Sequence, residues 1–229
     1  MMFTEKKDLK AVTSGKGEQH ERPLRAPTFY LHNFTIFSIL EHAPCSVGIL
    51  VDRGLGGTTH VSANDVDSVV TVLFFGRHDD HEALAYGARM AEHPGISLTV
   101  IRFLPGPEVS GEIVEAGTNT DVELFLMEFK NKISNDSSVS YEERVVRNPT
   151  ETIKAIGEFK RCNLFVVGQM PESQVTAKLN ERTECPELGP IASLLISHEL
   201  STSASVLVVQ KHRIRKQTPV TSFSSTKVA

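Results

Sequence analysis

One uninterrupted apolar run, Val69-Val-Thr-Val-Leu-Phe-Phe75, is rich in β-branched and aromatic residues. A strand with one wet face alternates apolar and polar residues; a run without alternation is covered on both faces. Strands of that kind belong to parallel sheets with helices above and below. This run therefore predicts an α/β fold, and the flanking segments carry the pattern such a fold requires.

The segment after it, RHDDHEALAYGARMAEHPG, reads as a helix. Asp79 and Glu82 have capping-box spacing, Leu84, Ala88 and Ala91 share a face, and His93-Pro94-Gly95 stops it. Ser97 to Phe103 is the second strand. Asp121 opens a helix with Val122, Phe125, Leu126, Phe129 and Ile133 as its apolar stripe. Val139 to Val145 alternates, as an edge strand does. Asn148, Pro149 and Glu151 start a helix expected to reach about Cys162. Leu164 to Val167 is the fourth strand, Gly168 to Leu188 is irregular, Pro190 to His198 is a helix, and Ser205 to Val209 is the fifth strand. The order βαβαβαβαβ predicts a Rossmann-like three-layer sandwich with a five-stranded parallel sheet ordered 3-2-1-4-5.

The 229 residues suffice for one domain with appendages. A net charge of -4 argues against nucleic acid as a partner. Three cysteines, Cys45, Cys162 and Cys185, make no disulfide framework and fit a reducing compartment. The first twenty residues have no apolar h-region. The longest membrane-like stretch, Phe29 to Val51, contains His32, Asn33, Glu41, His42 and Pro44, so it is a poor span. On its own the chain is expected to be soluble.

One strand arrives early. CSVGILVDRG at Cys45 to Gly54 resembles ASVLVVQK at Ala204 to Lys211, and residues ending in His and Glu precede both. Val47 to Val51 therefore reads as the last strand of a preceding copy of the same domain, an orphan here. The alternative is a sixth strand of the one sheet.

Four segments, APCSVGILVDRGLGG, VTVLFFGRHDDHEALAYGARMAEHPGISLTVIRF, LFVVGQM and CPELGPIASLL, together resemble the plant monovalent cation/proton exchangers, in the hydrophilic C-terminal tail that follows the transporter. The resemblance runs from about Ala43 to Lys211. It implies two universal-stress-protein-like domains in tandem, of which this chain holds the second plus the final strand of the first. On that basis residues 1–36 are a disordered segment unlike the family. Residues 37–66 are the helix and strand remnant of the preceding domain with its linker. Residues 67–211 are the universal-stress-protein-like domain, and 212–229 a disordered basic, Ser/Thr-rich tail. The resemblance further implies a cytosolic regulatory domain of a potassium or sodium/proton antiporter of an endomembrane or the plasma membrane, serving cation transport and pH homeostasis. Its partner is the transmembrane domain of the parent, and a homodimer is compatible with it. A free-standing nucleotide binder of the stress-protein type is the alternative.

The site residues follow from that comparison. Stress proteins that bind ATP use an Asp at the end of strand one and a glycine-rich loop after strand four. Here Phe75, before Gly76, stands at the Asp position, and Met170, Pro171 and Glu172 follow Gly168. Pro removes an amide donor and Glu repels phosphate. Gly189 and Ser193 are then remnants of the loop, or Gly189 and Pro190 simply start a helix. Glu184 and Glu187 add negative charge nearby. Gly76, Gly168, Gly189 and Ser193 thus mark a vestigial nucleotide site, with ATP or AMP binding weak or absent and no cofactor expected. Cys185 before a helix reads as packing, and the pair His78 and His81 as a solvated helix start. The carboxylates from Glu108 to Asp121 read as a solvated loop. No Ser-His-Asp ordering and no Gly-x-Ser-x-Gly occurs, so no catalytic residue is assigned. Lys211, Arg213, Arg215 and Lys216 precede Thr218, Thr221, Ser222, Ser224 and Ser225. Phosphorylation at Thr218, Ser222, Ser224 or Ser225 would reverse the local charge.

Overall fold

The computed structural model describes residues 2–6, 36–55, 68–106, 116–134, 136–159, 161–169, 185–197, 200 and 202–213. The strands are β1 (Met2–Lys6), β2 (Val47–Val51), β3 (Ser68–Phe74), β4 (Ile96–Pro105), β5 (Val139–Val146), β6 (Leu164–Gly168) and β7 (Ser205–Gln210). The helices are α1 (residues 36–42), α2 (His78–Met90), α3 (Ala116–Ile133), α4 (Pro149–Gly157) and α5 (Gly189–Ile196); a 3-10 turn at Pro186–Leu188 leads into α5.

All seven strands form one sheet in the order β1-β2-β7-β6-β3-β4-β5. From β5 to β7 every neighbouring pair is parallel, so the predicted order 3-2-1-4-5 holds for these five. Strand β3 is covered on both faces, as its unbroken apolar run requires. Val70, Val72 and Phe74 enter a core with Ala83 and Leu84 of α2 and Val122, Leu126 and Phe129 of α3. Leu73, out of step with them, enters a second core with Ile156 of α4 and Ile191, Leu194 and Leu195 of α5.

The early strand is no orphan. β2 pairs antiparallel with β7, from Val47 opposite Gln210 to Val51 opposite Val206. Val47, Ile49 and Val51 are buried in the second core, beside Ile36 of α1. Without β2 the backbone edge of β7 would be unpaired, which is reason enough for an apolar extended segment to add there. A second correction concerns the first 36 residues, expected to be disordered. Met2–Lys6 forms a strand, parallel to β2, and satisfies the outer edge that β2 exposes.

Helix boundaries also shift. α3 begins at Ala116, ahead of Asp121. α4 ends at Gly157, where Glu158 and Phe159 close the turn with bonds to the carbonyls of Ala155 and Ile156, short of Cys162. α5 ends at Ile196 rather than His198. The expected cap of α4 is in place: Asn148 accepts from the amide of Glu151 at 2.9 Å. The edge strand β5 alternates as expected only from Val139 to Glu142; Glu143 is also exposed, Val145 is 60% exposed and Val146 is buried, and the strand is tied to α3 by a polar cluster. Arg102, nearly buried, pairs with Glu123 and Glu143, and Lys130 and Tyr141 also meet Glu143. Burial and Glu143 push the Tyr141 hydroxyl well above its ordinary range.

Candidate functional site

In an open parallel sheet, ligands bind at the carboxyl ends of the strands, where the strand order reverses. Here that place lies between β3 and β6, since the chain leaves β3 for β4 on one side and later returns to β6 on the other. Gly76, Gly168 and Gly189 all stand along it.

The crevice is filled by the chain itself. β3 ends at Phe74, Gly76 turns with φ of 91°, and α2 begins at His78. The side chain that closes the turn is Asp80, not the Asp79–Glu82 pair read from the sequence. Its carboxylate accepts from the amides of Phe75 at 3.0 Å and Arg77 at 3.1 Å, and the amide of Gly168 donates to it as well. Asp80 is 1% exposed, and burial pushes its pKa up to about 7 against the pull of these three amides. A Cβ on Gly168 would sit 2.9 Å from the Asp80 amide and 3.0 Å from Asp79 Cβ. Gly168 is therefore a glycine because the first turn of α2 packs onto the end of β6.

Asp79 is buried too and reaches the other way. It accepts from the amide of Lys211 at 2.9 Å and faces the Arg213 guanidinium at 3.8 Å. It thereby fixes the point where the chain leaves β7. Gly189 has φ of 76°, and any side chain there would run into the carbonyl of Gln169. Gln169 bonds to the carbonyls of Val209, through its amide, and Glu187, through Nε2, both at 2.9 Å. Glu187 is itself fully buried. Ser193 does not face this crevice; its hydroxyl donates to the Cys185 carbonyl at 3.0 Å. Phe75 lies against Phe103, ring centroids 4.7 Å apart.

Of the histidine pair, His78 is exposed, as a solvated helix start requires, whereas His81 is half-buried. His81 stacks on Phe125 at 4.4 Å and on Phe74 at 5.6 Å. Burial, then Lys211 and His78, hold its pKa below the ordinary value, so the ring is neutral at neutral pH. Among the described residues no group of three His, Cys, Asp or Glu is placed to hold a metal. None of the three cysteines is in a disulfide, and all three are half-buried. Burial pushes the Cys162 thiol up to about 11, which leaves it a poor nucleophile. Beside the crevice an open groove of about 430 Å³ runs between α1 and the end of β7, lined by Phe37, Leu40, Cys45, Gln169, Lys211 and Arg213. Met170, Pro171, Glu172, Glu184, most of the acidic loop and the sites Thr218, Ser222, Ser224 and Ser225 lie outside the described residues.

Sequence reasoning found the three glycines but missed the side chains that occupy their space. The signal was present as two adjacent acids, Asp79 and Asp80, at the start of an apolar helix.

The fold and this closed edge define an α/β domain whose customary ligand position is packed with its own carboxylates and amides. The family model described as the plant cation/H(+) antiporter C-terminal domain matches residues 67–210, and the chain belongs to that family. It is 51% identical over 187 residues to cation/H(+) antiporter 18 of Arabidopsis thaliana, covering 76% of this chain and 23% of that protein. For cation/H(+) antiporter 17 of the same plant the figures are 47% over 196 residues, 76% and 24%. The chain thus spans about a quarter of the length of these curated relatives. Among solved structures it is similar to the universal stress protein UspA from Lactobacillus plantarum, with 12% identity, TM-score 0.38, and coverage of 62% of this chain and 97% of that one. Among the described residues no helix is long and apolar enough to cross a membrane.

Proposed function

We propose that the chain is a non-catalytic regulatory tail of a potassium- or sodium-for-proton antiporter. It acts on cation transport and pH homeostasis from the cytosolic side of a membrane, through a transmembrane domain elsewhere in the parent protein. Family membership and the coverage of about a quarter of its relatives support this reading. The observation that carries the non-catalytic part is the occupied crevice: Asp80 lies against Gly168, and Gln169 against Gly189. No cofactor is needed, and the buried carboxylates there oppose a nucleotide phosphate. The basic segment from Lys211 and the hydroxyls at Thr218, Ser222, Ser224 and Ser225 form the regulatory surface in this reading.

Two experiments test it. Isothermal titration with ATP and AMP should show no binding at micromolar concentrations. Micromolar binding lost in Gly189→Val would favour the nucleotide-binding alternative instead. In antiporter-deficient cells, cation/H(+) antiporter 18 with its matching region replaced by this chain should retain pH-dependent growth on limiting potassium. Growth equal to that of a version lacking the region altogether would sink the regulatory reading.

A further inference from the structure

The first turn of α2 carries two adjacent carboxylates, and both are buried. They serve different parts of the molecule. Asp80 accepts from the amides of Phe75 and Arg77 ahead of the helix and of Gly168 at the end of β6. Asp79 accepts from the Lys211 amide, where the chain leaves β7, and faces the Arg213 guanidinium. That guanidinium sits at the rim, with the Arg213 side chain 62% exposed. Ionising Asp80 puts a second buried negative charge beside Asp79, and the exit of β7 brings the positive charge that answers it. Other titratable groups stand close by. His78 and His81 lie on α2, Asp121 of α3 and Lys211 both act on His81, and the His212 amide is bound to Ser46 Oγ at 3.2 Å. Glu187, on the turn before α5, meets Gln169 through its carbonyl.

We propose that Asp79 and Asp80 form a proton-operated clasp on the chain's exit from β7, holding Lys211 to Arg213 tightly while Asp80 is ionised and loosely once it is protonated. The clasp joins two places that share no hydrogen bond of their own: the junction of β3, α2 and β6, which Asp80 closes, and the end of β7, which Asp79 closes. Burial, with Asp79 beside it, raises the Asp80 pKa to about 7, so the change falls near neutral pH. The coupling is reciprocal: if the ionised acid holds the exit more tightly, removing positive charge from the exit makes the acid harder to ionise. The clasp rests on the regulatory reading above only for its purpose, which would be to let the basic segment respond to the proton concentration around the domain.

Two readouts on the full chain test it. Carbon-13 NMR follows the titration of the Asp80 carboxyl, assigned through its own α-carbon. Arg213→Gln, at an exposed position, should raise the Asp80 midpoint by about 0.3–0.7 in pH, the size of a solvent-screened charge pair. Amide exchange follows the exit itself. The protection factor of the Lys211 amide is taken relative to that of Val72 in β3, which cancels the domain's own change in stability with pH. That ratio should be about two- to five-fold greater at pH 8 than at pH 5, the same coupling read from the other side, and should not change with pH in Asp80→Asn. An Asp80 midpoint unmoved by Arg213→Gln overturns the proposal. So does a Lys211 ratio that is flat with pH in the parent chain, or that responds equally in Asp80→Asn. If Asp80→Asn does not fold, the Arg213→Gln titration and the parent's Lys211 ratio decide. Both readouts use this chain alone, so they succeed or fail independently of the growth experiment that tests the regulatory reading.

Discussion

Gly168 is held against Asp80: its amide donates to the buried carboxylate, and the space a Cβ would take is already occupied by the first turn of α2. Gly168→Ala should therefore destabilise the domain by roughly 1–3 kcal/mol, the usual cost of overpacking. Chemical denaturation measures it. Combining it with Asp80→Ala should cost less than the two single changes together, because they share one contact. Full additivity would show that the two residues do not meet.

The pH dependence of stability follows from the same carboxylate. Burial raises Asp80 from 3.8 to about 7, so the native state holds its proton more tightly than the unfolded chain. Its contribution is fully present below pH 4 and is lost as pH rises through about 7. Glu123, Glu143 and Asp52 act oppositely: their hydrogen bonds lower their pKa values, and their contributions are lost in acid. The net slope mixes these, so the difference between the parent chain and Asp80→Asn is the useful quantity. Urea midpoints at pH 5 and pH 8 should differ less in the variant, with the parent's extra change being a loss at pH 8.

α5 supplies two further variants with different expectations. Leu194 is 7% exposed within the second core, so Leu194→Ala should cost roughly 2–5 kcal/mol. Ser193→Ala removes the hydrogen bond to the Cys185 carbonyl and should cost about 1 kcal/mol. Equal melting temperatures for Ser193→Ala and the parent chain would contradict that bond's role.

Removing residues 1–60 should destabilise the domain. Val47, Ile49 and Val51 leave the core, β7 loses its antiparallel neighbour, and Arg53 no longer reaches the carbonyls of Thr202 and Ile196. The expected outcome is a large fall in melting temperature with association of the exposed edge. Light scattering during a thermal ramp reads both.

The order of the five parallel strands was legible because each strand announces its burial. β3 has no polar interruption except Thr71, β5 carries Ser140, Glu142, Glu143 and Arg144, and Asn148-Pro149 starts α4 by local chemistry alone. The closed crevice was legible only in part. Glycines at Gly168 and Gly189 look the same in sequence whether the space beside them holds a phosphate or the chain's own atoms. What fills them here comes from Asp80 and Gln169, distant in sequence, and no local pattern states that distance. The integration of β2 was obscured for a related reason. Its likeness to β7 shows that the two strands are equivalent, but equivalence alone does not say that they touch.

The antiparallel match of β2 with β7 also sets how the molecule yields to tension. Val47 and Gln210 lie side by side at one end of the pair, and the chain leaves the sheet there in both directions, toward α1 and toward Lys211. A pull between those two exits loads the ladder one rung at a time instead of all rungs together. The strands would peel from Val47 and Gln210 toward Val51 and Val206, as a zipper opens, with β6, β3, β4 and β5 lying beyond β7 on its other side.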